Sequence, residues 1–202
     1  LETIFTEFME IGLSEHFHSI KTSIGSLVSA SIEIYKNLVT VLPPTPAKSH
    51  YLFNIRDIRN ALRGVISVSE FQEKETLYRA WIHESLRVFS DRLVNEQDKL
   101  QFKNLLKQSF EKWTQVSVEE TCSKEPLFCN LLGNYQETEV EYARKAVENS
   151  IEEYKSTNHE KLNLVLFDLA VHQISRIARV LSSPNGHLML VGLAGNGRSP
   201  LT

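Results

Sequence analysis

Asn54-Ile55-Arg56-Asp57-Ile58-Arg59-Asn60-Ala61-Leu62-Arg63-Gly64-Val65-Ile66 sets Ile55, Ile58, Leu62, Val65 and Ile66 at helical spacing. That pattern predicts an amphipathic helix with one apolar face. Asn54 is a good cap for it, and Asp57 stands where the reciprocal acid of a capping box belongs. The same period recurs on both sides of this stretch. Upstream, Leu1, Ile4, Phe5, Phe8 and Ile11 predict one helix, and Ile24, Leu27, Val28, Tyr35, Leu38, Val39 and Leu42 a second. The second stops at Pro43-Pro44, because the residue before a proline is pushed out of the helical region. Pro43 to His50 reads as a rigid extended connector. Downstream, Leu77, Tyr78, Trp81, Ile82, Val88, Phe89 and Leu93 predict a fourth helix, with Trp81 and Phe89 in a core. A fifth follows Asn95 with Leu105, Leu106, Phe110 and Trp113. Val116 to Tyr135 holds Pro126 and Gly133 without a clean period, and predicts a loop. Thr138 and Glu141 form a capping-box pattern ahead of Val140, Ala143, Val147, Ile151 and Tyr154. The last helix carries Phe167, Ala170, Val171, Ile174, Ile177, Ala178 and Leu181, and ends at the turn signal Ser182-Ser183-Pro184-Asn185-Gly186. The fold class is mainly α.

Composition narrows the function. A net charge of -3 and a pI near 6.2 give no support to a nucleic-acid or anionic-membrane partner. No apolar run approaches the ~18 residues that cross a bilayer. Cys122 and Cys129 fit no zinc spacing and read as free thiols in a reducing compartment. Leu1-Glu2-Thr3 lacks the basic start of a signal peptide and an initiator Met, so the expectation is a piece of a longer chain. His83-Glu84 resembles the opening of a zinc-protease motif, but no second His follows at the required spacing. Arg87, Asp91 and Arg92 read as a solvated or interhelical salt-bridge cluster.

Two places carry candidate chemistry. Leu188-Met189-Leu190-Val191 is a short apolar run followed by Gly192-Leu193-Ala194-Gly195-Asn196-Gly197-Arg198-Ser199. Strand, glycine-rich turn and helix start is the context of a phosphate-binding loop, in which backbone N–H groups close around phosphate oxygens. Arg198 takes the position of the usual Lys, Ser199 is placed to offer a hydroxyl to Mg²⁺, and Pro200 removes an N–H that phosphate could use. The alternative is an ordinary glycine-rich strand-to-helix turn. Arg56 is the second place. A cation at a helix start opposes the helix dipole at a cost of roughly 0.3–1 kcal/mol. Either an anion is held jointly by the helix end and the guanidinium, or Arg56 pairs with Asp57 or another surface acid.

Several longer blocks carry a resemblance. Pro46-Ala47-Lys48-Ser49-His50-Tyr51-Leu52-Phe53-Asn54-Ile55-Arg56-Asp57 closely resembles a signature of axonemal dynein heavy chains, at the junction of the large and small subdomains of their third AAA+ module. Trp81-Ile82-His83-Glu84 with Arg87-Val88-Phe89-Ser90-Asp91-Arg92-Leu93 resembles the lid helix of that module. Leu164-Val165-Leu166-Phe167 and Ser175-Arg176-Ile177-Ala178-Arg179-Val180-Leu181 resemble the entry to the fourth module, and Leu190-Val191-Gly192 into Gly195-Asn196-Gly197-Arg198 its phosphate loop.

The resemblance implies a division into four parts. Residues 1–49 end the third large subdomain, 50–135 form its helical lid, 136–160 a connector helix, and 161–202 the first strand and truncated phosphate loop of an α/β fourth module. It implies that Arg56 is a sensor-II-like arginine reaching a nucleotide's terminal phosphates. Leu164, Val165 and Leu166 border the adenine, and Gly192, Gly195, Gly197, Arg198 and Ser199 form the phosphate loop, with Ser199 toward Mg²⁺. Ala194, Asn196 and Pro200 depart from the family pattern there. The implied parent is an ATP-driven, minus-end-directed microtubule motor of the ciliary or flagellar axoneme, in the cytoplasmic cytoskeleton, using ATP/ADP with Mg²⁺ and carrying a coiled-coil stalk. Its implied partners are neighbouring AAA+ modules, microtubules, and dynein intermediate and light chains. This stretch would sense nucleotide and couple modules, and by itself would neither hydrolyse nor tightly bind ATP. The alternative is a nucleotide-independent helical scaffold or docking piece.

Overall fold

The computed structural model describes residues 1–14, 17–68, 71, 73–158, 165–183 and 186–191. The helices are α1 (Glu2–Gly12), α2 (Phe17–Val41), α3 (Ile55–Ile66), α4 (Lys74–Ser85), α5 (Glu96–Thr114), α6 (Val118–Thr121), α7 (Val140–Asn158) and α8 (Asp168–Ser182). A π-helical turn, Leu86–Ser90, continues α4, and β1 (Phe128–Cys129) pairs with β2 (Gln136–Glu137). The chain divides into two compact units, Leu1–Pro126 and Leu127–Thr202.

In the first unit α2 packs along α5, and α4 packs against both α2 and α3. Trp81 and Phe89 are fully buried. Trp81 stacks on Phe110 at 5.6 Å between centroids, and Tyr78 meets the same ring edge-on at 5.2 Å. Burying an indole also requires a partner for its N–H. Trp81 Nε1 donates to Ser31 Oγ at 2.8 Å, and Ser31 donates onward to the Leu27 carbonyl at 2.7 Å. A second line of rings runs Tyr51, Phe53, Phe89, Phe102, with neighbouring centroids 6.1, 6.2 and 5.8 Å apart. Close approach of α3 to α4 depends on Gly64: a Cβ there would lie 2.0 Å from Oε2 of Glu84, whose side chain is fully buried.

Four expectations for this unit change. The α1 face that is buried carries Phe5 and Met9, while Leu1, Ile4 and Ile11 are exposed. Glu2, Thr3, Thr6, Glu7 and Glu10 share one side of the helix, and the opposite apolar arc is wider than the part that packs, so only its Phe5–Met9 edge is covered. Ile55 and Trp113 also lie substantially outside the core, although Trp113 Nε1 donates to Glu33 at 2.6 Å. Pro43 to His50 is not extended throughout: Lys48 N–H donates to the Thr45 carbonyl at 2.9 Å, closing a turn over Pro46-Ala47. Proline's fixed φ suits that turn. Finally, the segment after Val116 contains the one-turn helix α6, whose cap is Ser117 accepting from Glu119 N–H.

The second unit begins with the hairpin, in register Phe128 with Glu137 and Cys129 with Gln136. Two-residue strands are too short to leave a period in sequence, hence the loop expectation for Val116–Tyr135. Gly133 turns the hairpin with φ of +111°, a conformation that favours glycine. Leu127, Cys129, Ala143 and Val171 form the core, with Leu131, Val140 and Leu166 packed against it. Thr138 does not cap α7. Its N–H donates to the Leu127 carbonyl at 2.9 Å and its hydroxyl faces the Gln136 carbonyl, so the hairpin claims it and the helix opens two residues later. Phe167 precedes α8 and is exposed, as are Leu181 and, in α7, Tyr154. Residues 186–191 have no strand pairing among the described residues, so Leu188–Val191 is not a strand here. A strand is stabilised by its ladder, and no neighbour among the described residues supplies one.

Candidate functional site

The start of α3 is built as its sequence requires. Asn54 Oδ1 accepts the Arg56 N–H at 2.8 Å, and Asp57 Oδ2 accepts the Asn54 N–H at 2.9 Å, completing the capping box. The Asp57 N–H donates to the Asn54 carbonyl at 3.0 Å. These bonds take up backbone donors that could otherwise have held an anion. Any anion at this helix start is therefore met chiefly by the Arg56 guanidinium rather than jointly with those N–H groups.

Arg56 does not pair with Asp57. Arg92 takes that carboxylate instead, with Nη2 2.8 Å from Oδ1 and Nη1 3.4 Å from Oδ2. Its Nη1 also donates to the Leu52 carbonyl at 3.3 Å, and its guanidinium carbon lies 5.3 Å above the centre of the Phe53 ring. The connector is held a second time at Asp98. Lys48 Nζ and Tyr51 Oη both donate to Asp98 Oδ2, at 2.5 and 2.8 Å, and Tyr51 Oη accepts the Val94 N–H at 2.9 Å. The hydrogen bonds from Lys48 and then Tyr51 hold the Asp98 carboxyl below its ordinary pKa.

Among the described residues the Arg56 side chain makes no hydrogen bond or ion pair, and the same holds for Arg59 and Arg63. All three are exposed, and their spacing puts them on one side of α3. Elsewhere the described arginines are engaged: Arg79, Arg87, Arg92, Arg144, Arg176 and Arg179 each have a partner. Three unpaired guanidinium groups in a row give this face a concentrated positive field. The 56, 59, 63 spacing was visible in the sequence, but only the structure separates these arginines from the paired ones.

The remaining candidates are placed as follows. Glu84 is buried against Arg87, whose Nε lies 2.9 Å from Oε2, and His83 Nδ1 lies 2.8 Å from the Pro126 carbonyl. Cys122 and Cys129 are free thiols. Among the described residues no group of three or more His, Cys, Asp or Glu could hold a metal ion. No described helix is long and apolar enough to cross a membrane. Val165 is exposed and Leu166 packs on the core of the second unit. Leu164, Gly192, Gly195, Gly197, Arg198 and Ser199, with Ala194, Asn196 and Pro200, lie outside the described residues.

Known proteins supply the context. Residues 8–99 match the family described as dynein heavy chain, ATPase lid domain, and residues 162–202 match the P-loop containing dynein motor region D4. Human dynein axonemal heavy chain 1 is 38% identical over 189 residues, covering 87% of this chain and 4% of the relative. Mouse dynein axonemal heavy chain 12 is 32% identical over 98% of the chain and 7% of its own length. Human dynein axonemal heavy chain 6 is 31% identical over 100% of the chain and 5% of its own length. The chain thus spans only a small part of these relatives. With the capped α3 inside the lid match, and dynein relatives aligned along most of its length, the chain belongs to the dynein heavy chain family.

Proposed function

We propose that this chain works within an ATP-driven, minus-end-directed microtubule motor of the axoneme, where it senses nucleotide and couples neighbouring AAA+ modules. On this reading residues 1–49 end the third large subdomain, 50–135 form its lid, 136–160 connect, and 161–202 begin the fourth module. Arg56 is the sensor: its guanidinium reaches toward the terminal phosphates held by the adjoining large subdomain. One observation carries this. Among the described residues the Arg56 guanidinium is unpaired, and it is exposed at the start of a rigidly capped helix, while the acid beside it in sequence is committed to Arg92. A cation so placed adds nothing to the helix, since it opposes the dipole. It is well suited to stabilising charge on a phosphoryl group.

The residues present fit a phosphate-bearing ligand on its anionic side only. Arg56 supplies a permanent charge with a planar fork, and Mg²⁺ with ATP would supply the phosphoryl chemistry of the motor. Gly192, Gly195, Gly197, Arg198 and Ser199 are the proposed loop of the fourth module, with Ser199 toward Mg²⁺, and Leu164, Val165 and Leu166 its adenine border. The parent would act with microtubules and with dynein intermediate and light chains in the cytoskeleton of a cilium or flagellum. The test is ATP-triggered microtubule release by an intact motor bearing Arg56→Ala. Slowed release with an unchanged melting temperature supports the sensor role; normal release and normal ATPase activity leave Arg56 an ordinary surface cation.

A further inference from the structure

We infer that Arg92 is a positioning residue that sets the aim of Arg56; this rests on the phosphate-reading role proposed above for Arg56. Arg92 holds the chain on both sides of Arg56 and makes no hydrogen bond or ion pair with Arg56 itself. On one side it donates to the Leu52 carbonyl at 3.3 Å and lies over the Phe53 ring at 5.3 Å. On the other it grips Asp57 at 2.8 Å. Asp57 divides its oxygens, with Oδ1 closest to Arg92 and Oδ2 closing the capping box at 2.9 Å from the Asn54 N. The guanidinium therefore anchors the very carboxylate that fixes the first turn of α3.

Arg56 needs such an anchor. Its long side chain has no partner of its own among the described residues, so the direction in which it projects depends on the backbone turn beneath it. Arg92 is itself held at the end of the π turn. The Asp91 N–H donates to the Leu86 carbonyl at 3.2 Å, the Leu93 N–H donates to the Ser90 carbonyl at 2.9 Å, and His50 Nε2 donates to the Arg92 carbonyl at 3.1 Å. Val88, Phe89 and Ser90 within that turn are buried. A shift of the core under the π turn would consequently be transmitted through Arg92 and Asp57 to the base of Arg56. The device joins α4 to the sensor through one guanidinium, and Lys cannot replace it because a point charge cannot span the carboxylate, the carbonyl and the ring together.

A double-mutant cycle in the intact motor separates positioning from mere support of the fold. ATP-triggered release is measured for Arg92→Lys and Asp57→Asn, each with Arg56 present and with Arg56→Ala. With Arg56 present, each substitution is expected to slow release on the order of tenfold, as a small misplacement of a reacting contact does. In the Arg56→Ala background the same substitutions are expected to change it less than about twofold, because the contact they aim is already gone. Equal slowing in both backgrounds, or none with Arg56 present, overturns the inference. Normal release by Arg56→Ala alone overturns the sensor reading instead, and the positioning role falls with it. Amide exchange in the 202-residue chain gives a readout free of nucleotide. Arg92→Lys should speed exchange of the Asn54 N–H, which the clamped Asp57 carboxylate accepts, on the order of tenfold; unchanged protection overturns the clamp itself.

Discussion

Gly64→Ala sets two opposed effects against each other at one position. In an open helical site the change favours the helix by about 0.8–1 kcal/mol. At Gly64 the new Cβ would lie 2.0 Å from Oε2, 2.2 Å from Cδ and 2.8 Å from Cγ of Glu84. That carboxylate cannot swing away freely, because its side chain is 0% exposed and Oε2 is 2.9 Å from Arg87 Nε. Moving α3 off α4 costs about 1–3 kcal/mol as overpacking, and pulling Glu84 from Arg87 leaves a buried pair broken at about 3–5 kcal/mol. Taking the middle of the cheaper route, about 2 kcal/mol, less the helical gain leaves a net loss of about 1 kcal/mol. For a unit of this size that is a fall in melting temperature of roughly 3–5 °C. Tryptophan fluorescence reports it cleanly, since Trp81 and Trp113 both belong to the first unit. Gly25→Ala in α2 is the control: nothing lies within 4 Å of its Cβ, so it should raise the melting temperature. If Gly64→Ala also melts at or above the unmodified temperature, the packing of Glu84 against α3 is wrong.

Other substitutions probe separate parts of the account. Phe89→Ala removes a ring shared between Phe53 and Phe102 and should cost about 3–5 kcal/mol in a urea melt. Arg59→Ala, at an exposed side chain with no partner among the described residues, should shift the same melt by less than about 0.5 kcal/mol. Asp98 has a depressed pKa, so its contribution is present above the ordinary aspartate range and is lost as pH falls through its lower folded value. An acid titration of Asp98→Asn should accordingly show a shallower loss of stability below about pH 4. Calorimetric titration of the 202-residue chain with MgATP should show no saturable micromolar binding; such binding, abolished by Arg198→Ala, would contradict the division of the nucleotide sites between modules.

Local chemistry was legible in the sequence and long-range chemistry was not. Asn54 and Asp57 are three residues apart, and the box they predict is the one observed. The break at Pro43-Pro44 and the burial of Trp81 and Phe89 likewise follow from local chemistry and helical period. Arg92 and Asp57 are 35 positions apart, so nothing in the spacing joined them. Leu86–Ser90 keeps a helical composition and gives no sign of the π turn that places Arg92. α1 misled because Leu1, Ile4 and Ile11 are as apolar as Phe5 and Met9, and only its packing on α2 and α3 decides which edge of the apolar arc is buried. Thr138 offered a cap that the hairpin had a stronger use for. Arg56 could be named from resemblance, but that Arg92 would take Asp57 in its place could not.

On the proposed function, Arg56 reads phosphate rather than merely contributing charge to the exposed face of α3. The most direct measurement compares ATP-triggered microtubule release by an intact motor carrying Arg56→Ala with the same motor carrying Arg59→Ala, one turn along the same helix. Slowing on the order of a hundredfold is expected for Arg56→Ala, the scale of one lost charge-stabilising contact, and near-normal release for Arg59→Ala. Equal slowing by both would mean that only the summed field of the arginine face matters, and normal release by Arg56→Ala would contradict the account outright.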